Sequence, residues 1–463
     1  MFTSLHIHGL RGFVVEQTLR LAIPNGAPGS GITVIVGANN AGKSTTIEAF
    51  RALGQRQNPS FTQGRRNVAA GDQVRISLVD SEGRTSRLSS VRSGGSETNV
   101  ESNFNPEELS HRLLVLPSRR TFNPYFSKSV TNRDDYMVHV GFPTVRSSGL
   151  EQFTYRLFAI EKNREAFDAV LGKVLDPVPD WSIDQMDSGQ YFLKIRTGGA
   201  VHSSEGLGEG LISLLYIVDA LYDSRESDLI AIDEPELSLH PALQRRVSSL
   251  LLEYSATRQI VIATHSPYMV HLDALPNGAT ILRAHINNGG TVFSQLSAAT
   301  AGRVFGLTRN QNNPHIFGLN AQEIFFVPDQ VVLVEGQEDV VFLERVQKSL
   351  GIRLAGNIFG WGVGGAENME HVANILHELG FTKVVGVLDA DRGELAQELA
   401  QRFPNFHFFA IAADDIRTKR AVKERPDVRG LLDDDNRSVR EEYKRDTAQK
   451  FEAANAYLVS TAA

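Results

Sequence analysis

The chain has 463 residues, of which 41% are apolar and 22% charged, and these ordinary globular values exclude disorder as its main state. At roughly 150 residues per domain, the length predicts two or three domains. The absence of cysteine excludes disulfides, thiolate-bound zinc and thiol catalysis, and the formal net charge of −7 is unlike that of a dedicated DNA-coating protein.

The first residues predict no targeting or membrane segment. The opening stretch MFTSLHIHGLRGF has no basic segment followed by an apolar core, as a signal peptide would have. The longest apolar runs of the chain, such as GITVIVG and RQIVIATH, are too short to span a bilayer. We therefore expect a cytoplasmic protein without a membrane partner.

A strand, a glycine-rich loop and a helix follow. The run ITVIV is rich in β-branched residues and stops at glycine, which is typical of a buried strand. After the loop, Ile47, Phe50 and Leu53 fall on one helical face. The alternating stretches between residues 54 and 110 predict edge hairpins, and LLVLP predicts another buried strand.

The loop matches the phosphate-binding pattern G-x-x-x-x-G-K-[ST] completely. Its glycines let backbone N–H groups point at phosphate oxygens, Lys43 would reach the β- and γ-phosphates, and Ser44 would bind Mg²⁺. The strand before it and the helix after it are the context that the pattern requires. The sequence therefore predicts an ATP and Mg²⁺ site with the nucleotide-binding residues Gly37, Asn39, Asn40, Ala41, Gly42, Lys43, Ser44 and Thr45.

A serine- and glycine-rich turn comes later in the chain. Residues 150 to 175 have helical spacing, YFLKIRTG predicts a strand, and SSEGLGEG then precedes an apolar helix. Such a turn at a helix N-terminus can bind an anion, although a plain helix cap explains the pattern equally well.

The next two predicted buried strands end in polar residues. DLIAIDE ends in Asp233, a natural Mg²⁺ ligand, and Glu234, which is placed to orient or deprotonate the attacking water. QIVIATH ends in His265. A lone histidine is more often structural, but beside a γ-phosphate it can sense that phosphate by hydrogen bonding.

The order of these motifs resembles the ABC-type ATPase heads of the RecF, SMC and Rad50 group. In that family the serine-glycine signature of one subunit closes over the ATP of another. The resemblance implies a homodimer or higher oligomer, with Glu234 as the catalytic glutamate, His265 as the switch histidine and residues 238–240 at the dimer interface. It also implies nucleotide contacts between subunits from Ser204, Gly206 and Gly208.

This chain departs from that family in places. Its signature differs from the usual S-G-G, and no glutamine follows LLVLP, where Arg119 and Arg120 stand near the expected lid loop. The chain also lacks a long heptad insertion, which separates it from the coiled-coil SMC and Rad50 proteins.

From residues 325–329 onward, strands and helices alternate over about a hundred residues, which predicts a small, mostly parallel α/β domain. Glu335 follows the strand VVLV, and Asp389 and Asp391 follow VVGVL. If these strands are neighbours, their carboxylates meet at one edge, beside Glu338 and Asp339 in the next element. Carboxylates are the ligands that Mg²⁺ and Mn²⁺ prefer, and two such ions can support phosphodiester cleavage.

The Glu-Gly strand end, the glycine turn at residues 362–365 and the Asp-x-Asp pair resemble the Toprim fold of topoisomerases, primases and certain nucleases. An ABC-type ATPase followed directly by a Toprim domain resembles the OLD family of ATP-dependent nucleases, and the junction EIFFVPDQVVLVEG is similar to that family's. The resemblance implies DNA cleavage, often in defence against phage. It also implies the metal ligands Glu335, Asp339, Asp389 and Asp391.

Departures from the OLD pattern lie near the C-terminus. Where that family usually has another glutamate, this chain has Asp414, Asp415 and then Arg417. Three residues are candidates for the late catalytic lysine of that family: Lys419, Lys423 and Lys444. The charged tail from residue 423 to 450 predicts a solvated helix or a frayed end.

We therefore predict an α/β protein with an ABC-type P-loop ATPase head at residues 1–325 and a smaller Toprim-like domain at residues 326–463. A helical, dimerising insertion is expected around residues 150–199. The predicted function is an ATP-hydrolysing, divalent-metal-dependent nuclease in anti-phage defence, with DNA, RNA or tRNA as substrate. Four arginines could contact the nucleic-acid backbone, although solvated side chains explain each of them individually: Arg65, Arg66, Arg119 and Arg120.

Two alternatives remain open at this point. In the first, the chain is an ATPase sensor or scaffold of a defence complex, its Toprim domain is vestigial or regulatory, and a separate protein is the effector. In the second, it is a recombination or repair ATPase that binds DNA without cutting it.

Overall fold

The computed structural model describes the chain except residues 56–58, 62–63, 93–94, 121–124, 140–152, 198, 309–317, 328, 422–426 and 461–463. The chain divides into two compact units, Met1–Phe293 and Ser294–Ala463. The first unit therefore ends before the head boundary predicted at residue 325. Within the described ranges, no helix is both long and apolar enough to cross a membrane.

The strands run, in chain order, β1 (Phe2–His8), β2 (Gln17–Arg20), β3 (Ile32–Val36), β4 (Arg75–Asp80), β5 (Thr85–Ser90), β6 (Thr98–Ser102), β7 (Leu113–Leu116), β8 (Asp180–Gln185), β9 (Tyr191–Thr197), β10 (Ala200–Ser203), β11 (Leu229–Asp233), β12 (Gln259–Ala263), β13 (Thr280–Asn287), β14 (Gly290–Gln295), β15 (Val331–Val334), β16 (Asn357–Ile358), β17 (Val384–Leu388) and β18 (His407–Ala410).

The α-helices are α1 (Lys43–Leu53), α2 (Pro106–Arg112), α3 (Arg133–His139), α4 (Phe153–Lys162), α5 (Arg164–Leu171), α6 (Glu209–Tyr222), α7 (Pro241–Tyr254), α8 (Ala298–Thr308), α9 (Leu319–Gln322), α10 (Gln337–Leu350), α11 (Ala366–Glu378), α12 (Gly393–Arg402) and α13 (Glu441–Val459).

A six-stranded sheet, ordered β14-β13-β3-β12-β11-β7, forms the centre of the first unit. The neighbouring strands from β13 to β7 pair in parallel. Every residue of β3, β11 and β12 is buried, as their unbroken apolar runs predict for a sheet covered on both faces. Because the strands are parallel, the segments that follow β3, β11 and β12 meet at one edge of the sheet.

An antiparallel sheet, ordered β2-β1-β4-β5-β6, covers α1 from the other side. Its inward side chains, such as Leu5 and Ile76, share a core with Ile47 and Phe50 of α1 and with Val261 of the central sheet. The sequence predicted the hairpins between residues 54 and 110 correctly. This core fixes α1, and with it the glycine-rich loop, against the central sheet.

The predicted helical insertion is helical only in its first half. Helices α4 and α5 are followed by a three-stranded antiparallel sheet, β10-β9-β8. This sheet begins at Asp180, so the insertion expected around residues 150–199 is not helical throughout, and β9 is the strand predicted for YFLKIRTG. Strand β10 leads directly into the serine-glycine turn, which the strand therefore positions.

The second unit contains a four-stranded parallel sheet, ordered β16-β15-β17-β18. Helices α10, α11 and α12 connect its strands, as the alternating pattern predicted. The charged tail at residues 423–450 is not simply solvated, because its Leu431, Leu432 and Val439 are buried in the core of this unit. Helix α13, which begins within the tail, buries Phe451, Ala454 and Leu458 in the same core. Its polar residues occupy the outer face of an amphipathic helix.

Candidate nucleotide and carboxylate sites

The glycine-rich loop adopts a conformation that requires its glycines. Gly37 has φ 135°, and a Cβ there would lie 2.1 Å from the Ala284 carbonyl oxygen. Gly42 has φ 101° and precedes the first turn of α1. Both angles lie in the region that side chains disfavour, so the loop can follow this path only with glycine at these positions.

Lys43 lies across its own loop. Its Nζ donates hydrogen bonds to the carbonyl oxygens of Gly37 at 2.8 Å and Ala38 at 2.9 Å. Burial lowers the pKa of Lys43 to about 8, and the carboxylates of Asp233 and Glu234 partly oppose this effect. An anion at the loop would supply the counter-charge that the buried ammonium favours.

Ser44 connects the loop to the end of β11. Its hydroxyl donates to the Asp233 carboxylate at 3.1 Å. A hydroxyl and a carboxylate at this spacing are the oxygen donors by which P-loop proteins hold Mg²⁺. The donor set therefore fits the ion predicted for Ser44 and Asp233.

Arg120 is the main element of this site that the sequence did not reveal. It is only 4% exposed, and its guanidinium donates to the carbonyl oxygens of Asp233 at 2.9 Å and Glu234 at 2.7 Å. It also donates to Pro117 O and to the Ser213 hydroxyl on α6. Arg120 is therefore neither a solvated side chain nor free to contact a nucleic-acid backbone, the two possibilities that the sequence left open, because its donors are used inside the fold.

Arg66 is corrected for the same reason. It is 9% exposed and donates to the carbonyl oxygens of Phe61 and Gly95. Arg119, by contrast, is exposed, and Arg65 is half-buried. Of the four arginines, only Arg65 and Arg119 have surface from which they could reach an external phosphate.

Glu234 has an unusual backbone. Its φ is 49°, a left-handed angle for a residue with a side chain, and its N–H donates to the Ala263 carbonyl at 2.7 Å. Arg120 donates to the carbonyl oxygen of the same residue, so both main-chain polar groups of Glu234 are hydrogen-bonded. Strain of this kind persists only where the surroundings hold it, and it is common at functional sites.

His265 lies beside Glu234, with Nε2 4.0 Å from the carboxylate. Burial and the Lys43 ammonium lower the pKa of His265, so the ring is neutral at neutral pH. Its backbone N–H donates to the Glu236 carboxylate at 2.6 Å. Burial raises the pKa of Glu236, a second residue of the site that was not predicted.

A cavity of about 660 Å³ is lined by the glycine-rich loop, Glu234 and His265. Its volume is in the range of small-molecule sites. It also includes three residues that sequence reasoning missed, Arg11, Gly12 and Thr291. Arg11 pairs with Glu48 at 2.8 Å on α1. Eight of the predicted site residues line this cavity: Asn39, Asn40, Gly42, Lys43, Ser44, Thr45, Glu234 and His265.

One part of the serine-glycine turn is buried and the other part is exposed. The Ser204 hydroxyl is buried and accepts a hydrogen bond from Leu193 N at 2.9 Å, so it is engaged within its own chain. Gly206 and Gly208 are exposed, and a Cβ at either position would meet only open space. The two glycines therefore remain the better candidates for the predicted contact with another subunit.

Residues 238–240 adjoin this turn in the same chain. The Ser238 hydroxyl donates to the Glu209 carboxylate at 3.0 Å, and a Cβ at Gly210 would lie 2.6 Å from Ser238 O. Both segments predicted at a dimer interface thus lie together on the first unit.

In the second unit, Glu335 and Asp389 meet at the sheet edge. Their strands, β15 and β17, are parallel neighbours, and Asp389 N donates to Glu335 Oε1 at 3.0 Å. The glycine turn closes on the same strand end, where Gly365 N donates to the Glu335 carbonyl at 2.8 Å. The juxtaposition predicted from the strand pattern is present.

The carboxylates at this edge repel each other. Burial and the charges of Glu335, Asp339, Asp415 and Asp391 raise the pKa of Asp389 to about 8. Burial, with Glu335 and Asp415, likewise raises the pKa of Asp339 to about 6. A concentration of like charge with oxygen donors is an environment that a divalent cation would stabilise.

The carboxylate groups of these residues do not converge on one point in this structure. Among the described residues, no group of three or more His, Asp or Glu side chains has a metal-holding arrangement. Asp339 instead accepts a hydrogen bond from Gly336 N at 2.7 Å, and Asp391 is exposed, 3.5 Å from Arg392. Ion binding would therefore require rotation of these side chains.

Two cations lie at the same edge. Arg417 pairs with Glu338 at 3.0 Å, and Lys419 pairs with Glu338 at 3.4 Å and with Asp415. Among the candidate lysines, Lys444 pairs with a glutamate of its own helix, and Lys423 lies outside the described residues. Lys419 is the candidate whose charge reaches the carboxylate cluster, since it acts on the pKa of Asp339.

Several solved structures are similar to this chain. The SMC head bound to the C-winged helix domain of ScpA is 14% identical, covering 65% of this chain and 99% of that chain, with a TM-score of 0.42. The SMC head domain from Thermotoga maritima is 14% identical, covering 64% and 99%, with a TM-score of 0.38. The Smc head with an extended coiled coil, bound to the C-terminal domain of ScpA and derived from Pyrococcus furiosus, is 13% identical, covering 67% and 99%, with a TM-score of 0.41.

Family models match three stretches of the sequence, whereas the search of curated proteins finds no match. Residues 4–161 match "AAA domain", and residues 150–270 match "AAA domain, putative AbiEii toxin, Type IV TA system". Residues 325–391 match "Overcoming lysogenization defect protein-like, TOPRIM domain". The predicted fold class is confirmed: the chain is an α/β protein that carries a P-loop ATPase head followed by an OLD-like TOPRIM domain.

Proposed function

We propose that this protein is an ATP-hydrolysing, divalent-metal-dependent nuclease that cuts nucleic-acid phosphodiesters. The observation that carries the proposal is the contact between Glu335 and Asp389 at the edge of a parallel sheet, within a cluster of mutually repelling carboxylates. Such a cluster is costly without a cation to neutralise it, and phosphodiester cleavage is among the reactions that paired cations support.

In the head, Lys43 would bind the terminal phosphates, and Ser44 and Asp233 would hold Mg²⁺. When bound, the ion neutralises charge on the phosphates. Glu234 orients the attacking water and accepts its proton, while the neutral His265 ring senses the γ-phosphate. The exposed Gly206 and Gly208 support closure of a second head over this site, so we propose at least a homodimer that acts in the cytoplasm.

In the Toprim-like domain, which we assign to residues 326–463, the proposed ligands are Glu335, Asp339, Asp389 and Asp391. A bound Mg²⁺ or Mn²⁺ would lower the pKa of water and stabilise a leaving oxygen. Lys419, oriented by Asp415 and Glu338, is placed to stabilise negative charge on the cleaved phosphate. The substrate is a nucleic acid, and the toxin–antitoxin name of one matching model supports a role in defence.

A specific observation favours a second candidate function. The Arg417 guanidinium and the Lys419 ammonium already neutralise Glu338 and Asp415 beside the carboxylate edge. In this alternative the second unit is vestigial or regulatory, and the chain is the ATPase sensor or scaffold of a defence complex with a separate effector protein.

The two candidates differ in what the purified protein does alone. Plasmid DNA and tRNA would be incubated with the protein and Mg²⁺ or Mn²⁺, with and without ATP. The test variant is the double substitution Asp389→Ala and Asp391→Ala, and Asp446→Ala on α13 is the control for loss of an acid. Cleavage by the wild type and by Asp446→Ala, but not by the double variant, supports the nuclease. If no protein cleaves, and the wild type hydrolyses ATP whereas Glu234→Gln does not, the sensor is supported.

A further inference from the structure

Trp361 stands on the surface of the second unit beside the carboxylate edge. It is 44% exposed, and the other exposed large apolar side chains of the described residues are Val, Ile, Leu and Met. Trp181, the second tryptophan of the chain, is by contrast 3% exposed and donates its indole N–H to Asp168 at 2.7 Å. The exposed indole of Trp361 offers apolar ring surface on which a planar ligand can pack.

The glycines on either side hold this ring in a fixed frame. Gly360 has φ 50°, and a Cβ there would lie 2.9 Å from the Ala321 Cβ. Gly362 has φ 85°, and a Cβ there would lie 2.8 Å from the Gly336 backbone. Neither position tolerates a side chain without displacement of its neighbour, so the tryptophan projects from a turn packed tightly on both sides.

This frame is attached to the strand end that carries the carboxylates. Gly336 directly follows Glu335, and Val363 N donates to the Val334 carbonyl at 2.9 Å. Trp361 is therefore two residues away from a backbone hydrogen bond to the strand that ends before Glu335. The turn that carries Trp361 is thus hydrogen-bonded to the strand whose end carries Glu335.

We propose that Trp361 is a stacking platform for an unpaired nucleobase next to the phosphodiester bound at the carboxylate edge. The proposal rests on the nuclease function above and names its substrate class, a single-stranded or unpaired segment of nucleic acid. Aromatic rings stack on any base through its π-face, whereas a base within a duplex has both faces covered by its neighbours. Arg417 and Lys419 supply positive charge at the same edge for the adjoining phosphates.

The two tryptophans permit a direct measurement. Trp181→Phe leaves Trp361 as the only tryptophan of the full-length protein, so that excitation at wavelengths where tyrosine does not absorb reports on it alone. Binding is measured in EDTA so that no cleavage occurs. Oligonucleotides of about 12 residues, single-stranded DNA, single-stranded RNA and blunt duplex DNA, are the probes. We expect both single strands to quench Trp361 and the duplex to leave it unchanged.

Substitution of the ring gives the second readout. Trp361→Ala is expected to weaken single-strand affinity about 5- to 100-fold, while Trp361→Phe retains most of it. The control is Val341→Ala, an exposed apolar residue of α10 in the same unit, which should bind single strands as the wild type does.

Other outcomes overturn the proposal. Unchanged fluorescence with single strands, or wild-type affinity in Trp361→Ala, excludes the platform. Quenching that increases with protein concentration in the absence of oligonucleotide shows that a second copy of the chain covers the ring. This result also excludes the platform. If wild type and Trp361→Ala cleave single strands equally well, the platform fails and the nuclease stands. If single strands quench Trp361 but no substrate is cut, the nuclease fails and the platform stands.

Discussion

Arg120 donates a hydrogen bond from Nη2 to the main-chain carbonyl oxygen of Glu234 at 2.7 Å. The same guanidinium contacts Asp233 O and the Ser213 hydroxyl, so one buried side chain links the two acids of the ATPase site to helix α6. Because Arg120 lies outside the nucleotide cavity, it acts by positioning Glu234 rather than by touching ATP.

Replacing Arg120 should therefore lower catalysis more than binding. In Arg120→Lys we expect kcat for ATP hydrolysis to fall up to about 100-fold, since small displacements of a catalytic group have effects of this size. KM should change little. Steady-state kinetics check this, with Arg119→Lys, the exposed neighbour, as the control. A rise in KM with unchanged kcat would contradict the positioning role.

The ion pair of Arg156 and Asp219 should contribute strongly to stability. The two side chains are 3% and 4% exposed and lie 2.7 Å apart, joining α4 to α6. Arg156→Ala leaves a buried carboxylate without its partner and should cost about 3–5 kcal/mol in the free energy of unfolding. Urea unfolding followed by tryptophan fluorescence measures this cost.

A matched surface pair provides the comparison. Arg225 and Asp134 lie 2.8 Å apart but are 54% and 39% exposed. Arg225→Ala should cost less than about 1 kcal/mol. Equal costs for Arg156→Ala and Arg225→Ala would show that burial does not determine the contribution of these pairs.

His271 should make the first unit sensitive to acid. Burial lowers the pKa of His271 to about 4 from 6.5, with the Asp273 charge opposing, and its Nε2 lies 2.6 Å from the Ser248 hydroxyl. Between these two pKa values the unfolded chain binds the proton and the fold does not. Stability is therefore complete above pH 6.5 and is lost as pH falls toward 4, by on the order of 3 kcal/mol.

Thermal unfolding between pH 7.5 and 4.5 measures this dependence. His271→Gln should flatten the curve, whereas His202→Gln, a change at an exposed histidine of β10, should leave it as in the wild type. An unchanged slope in His271→Gln would assign the acid sensitivity to other groups.

Gly37 should be intolerant of substitution because of a clash and not only because of its φ. Gly37→Ala would place Cβ 2.1 Å from the Ala284 carbonyl oxygen, which must displace the loop. We expect ATP affinity to fall more than about 10-fold. Gly26→Ala is the control, since its φ is 90° but a Cβ there meets open space. Titration with a fluorescent ATP analogue would contradict the argument if both variants bound equally.

The parts of the sites that could be predicted from sequence are those within one continuous motif. The spacing from Gly37 to Ser44, and the carboxylates that end apolar strands, identified the loop, Asp233 and Glu335 because parallel strands bring their ends to one edge. Arg120 could not be found this way. Its role depends on Pro117, Ser213 and Glu234, which only the folded sheet brings together.

Similar reasons explain the other misses. Glu236 has an ordinary sequence context, and its importance comes from burial and from its hydrogen bond with His265. In the sequence, Asp415 stands only as a departure from the OLD pattern, and its charge acts on the pKa of Asp389. The charge of residues 423–450 predicts a solvated helix or a frayed end, although Leu431, Leu432 and Val439 within this range are buried. Just beyond it, the buried Phe451, Ala454 and Leu458 recur at helical spacing. That spacing is typical of an amphipathic helix packed against a core.

The central claim is that the carboxylate edge cuts nucleic acid, and the cleavage rate measures it most directly. Purified wild-type protein would be incubated with Mn²⁺, ATP and single-stranded or plasmid substrate, beside the Asp389→Ala variant at equal concentration. Our account predicts cleavage by the wild type and a loss of at least about 100-fold in the variant, which loses a metal ligand. Equal cleavage by both proteins, or none by the wild type while it still hydrolyses ATP, would contradict it.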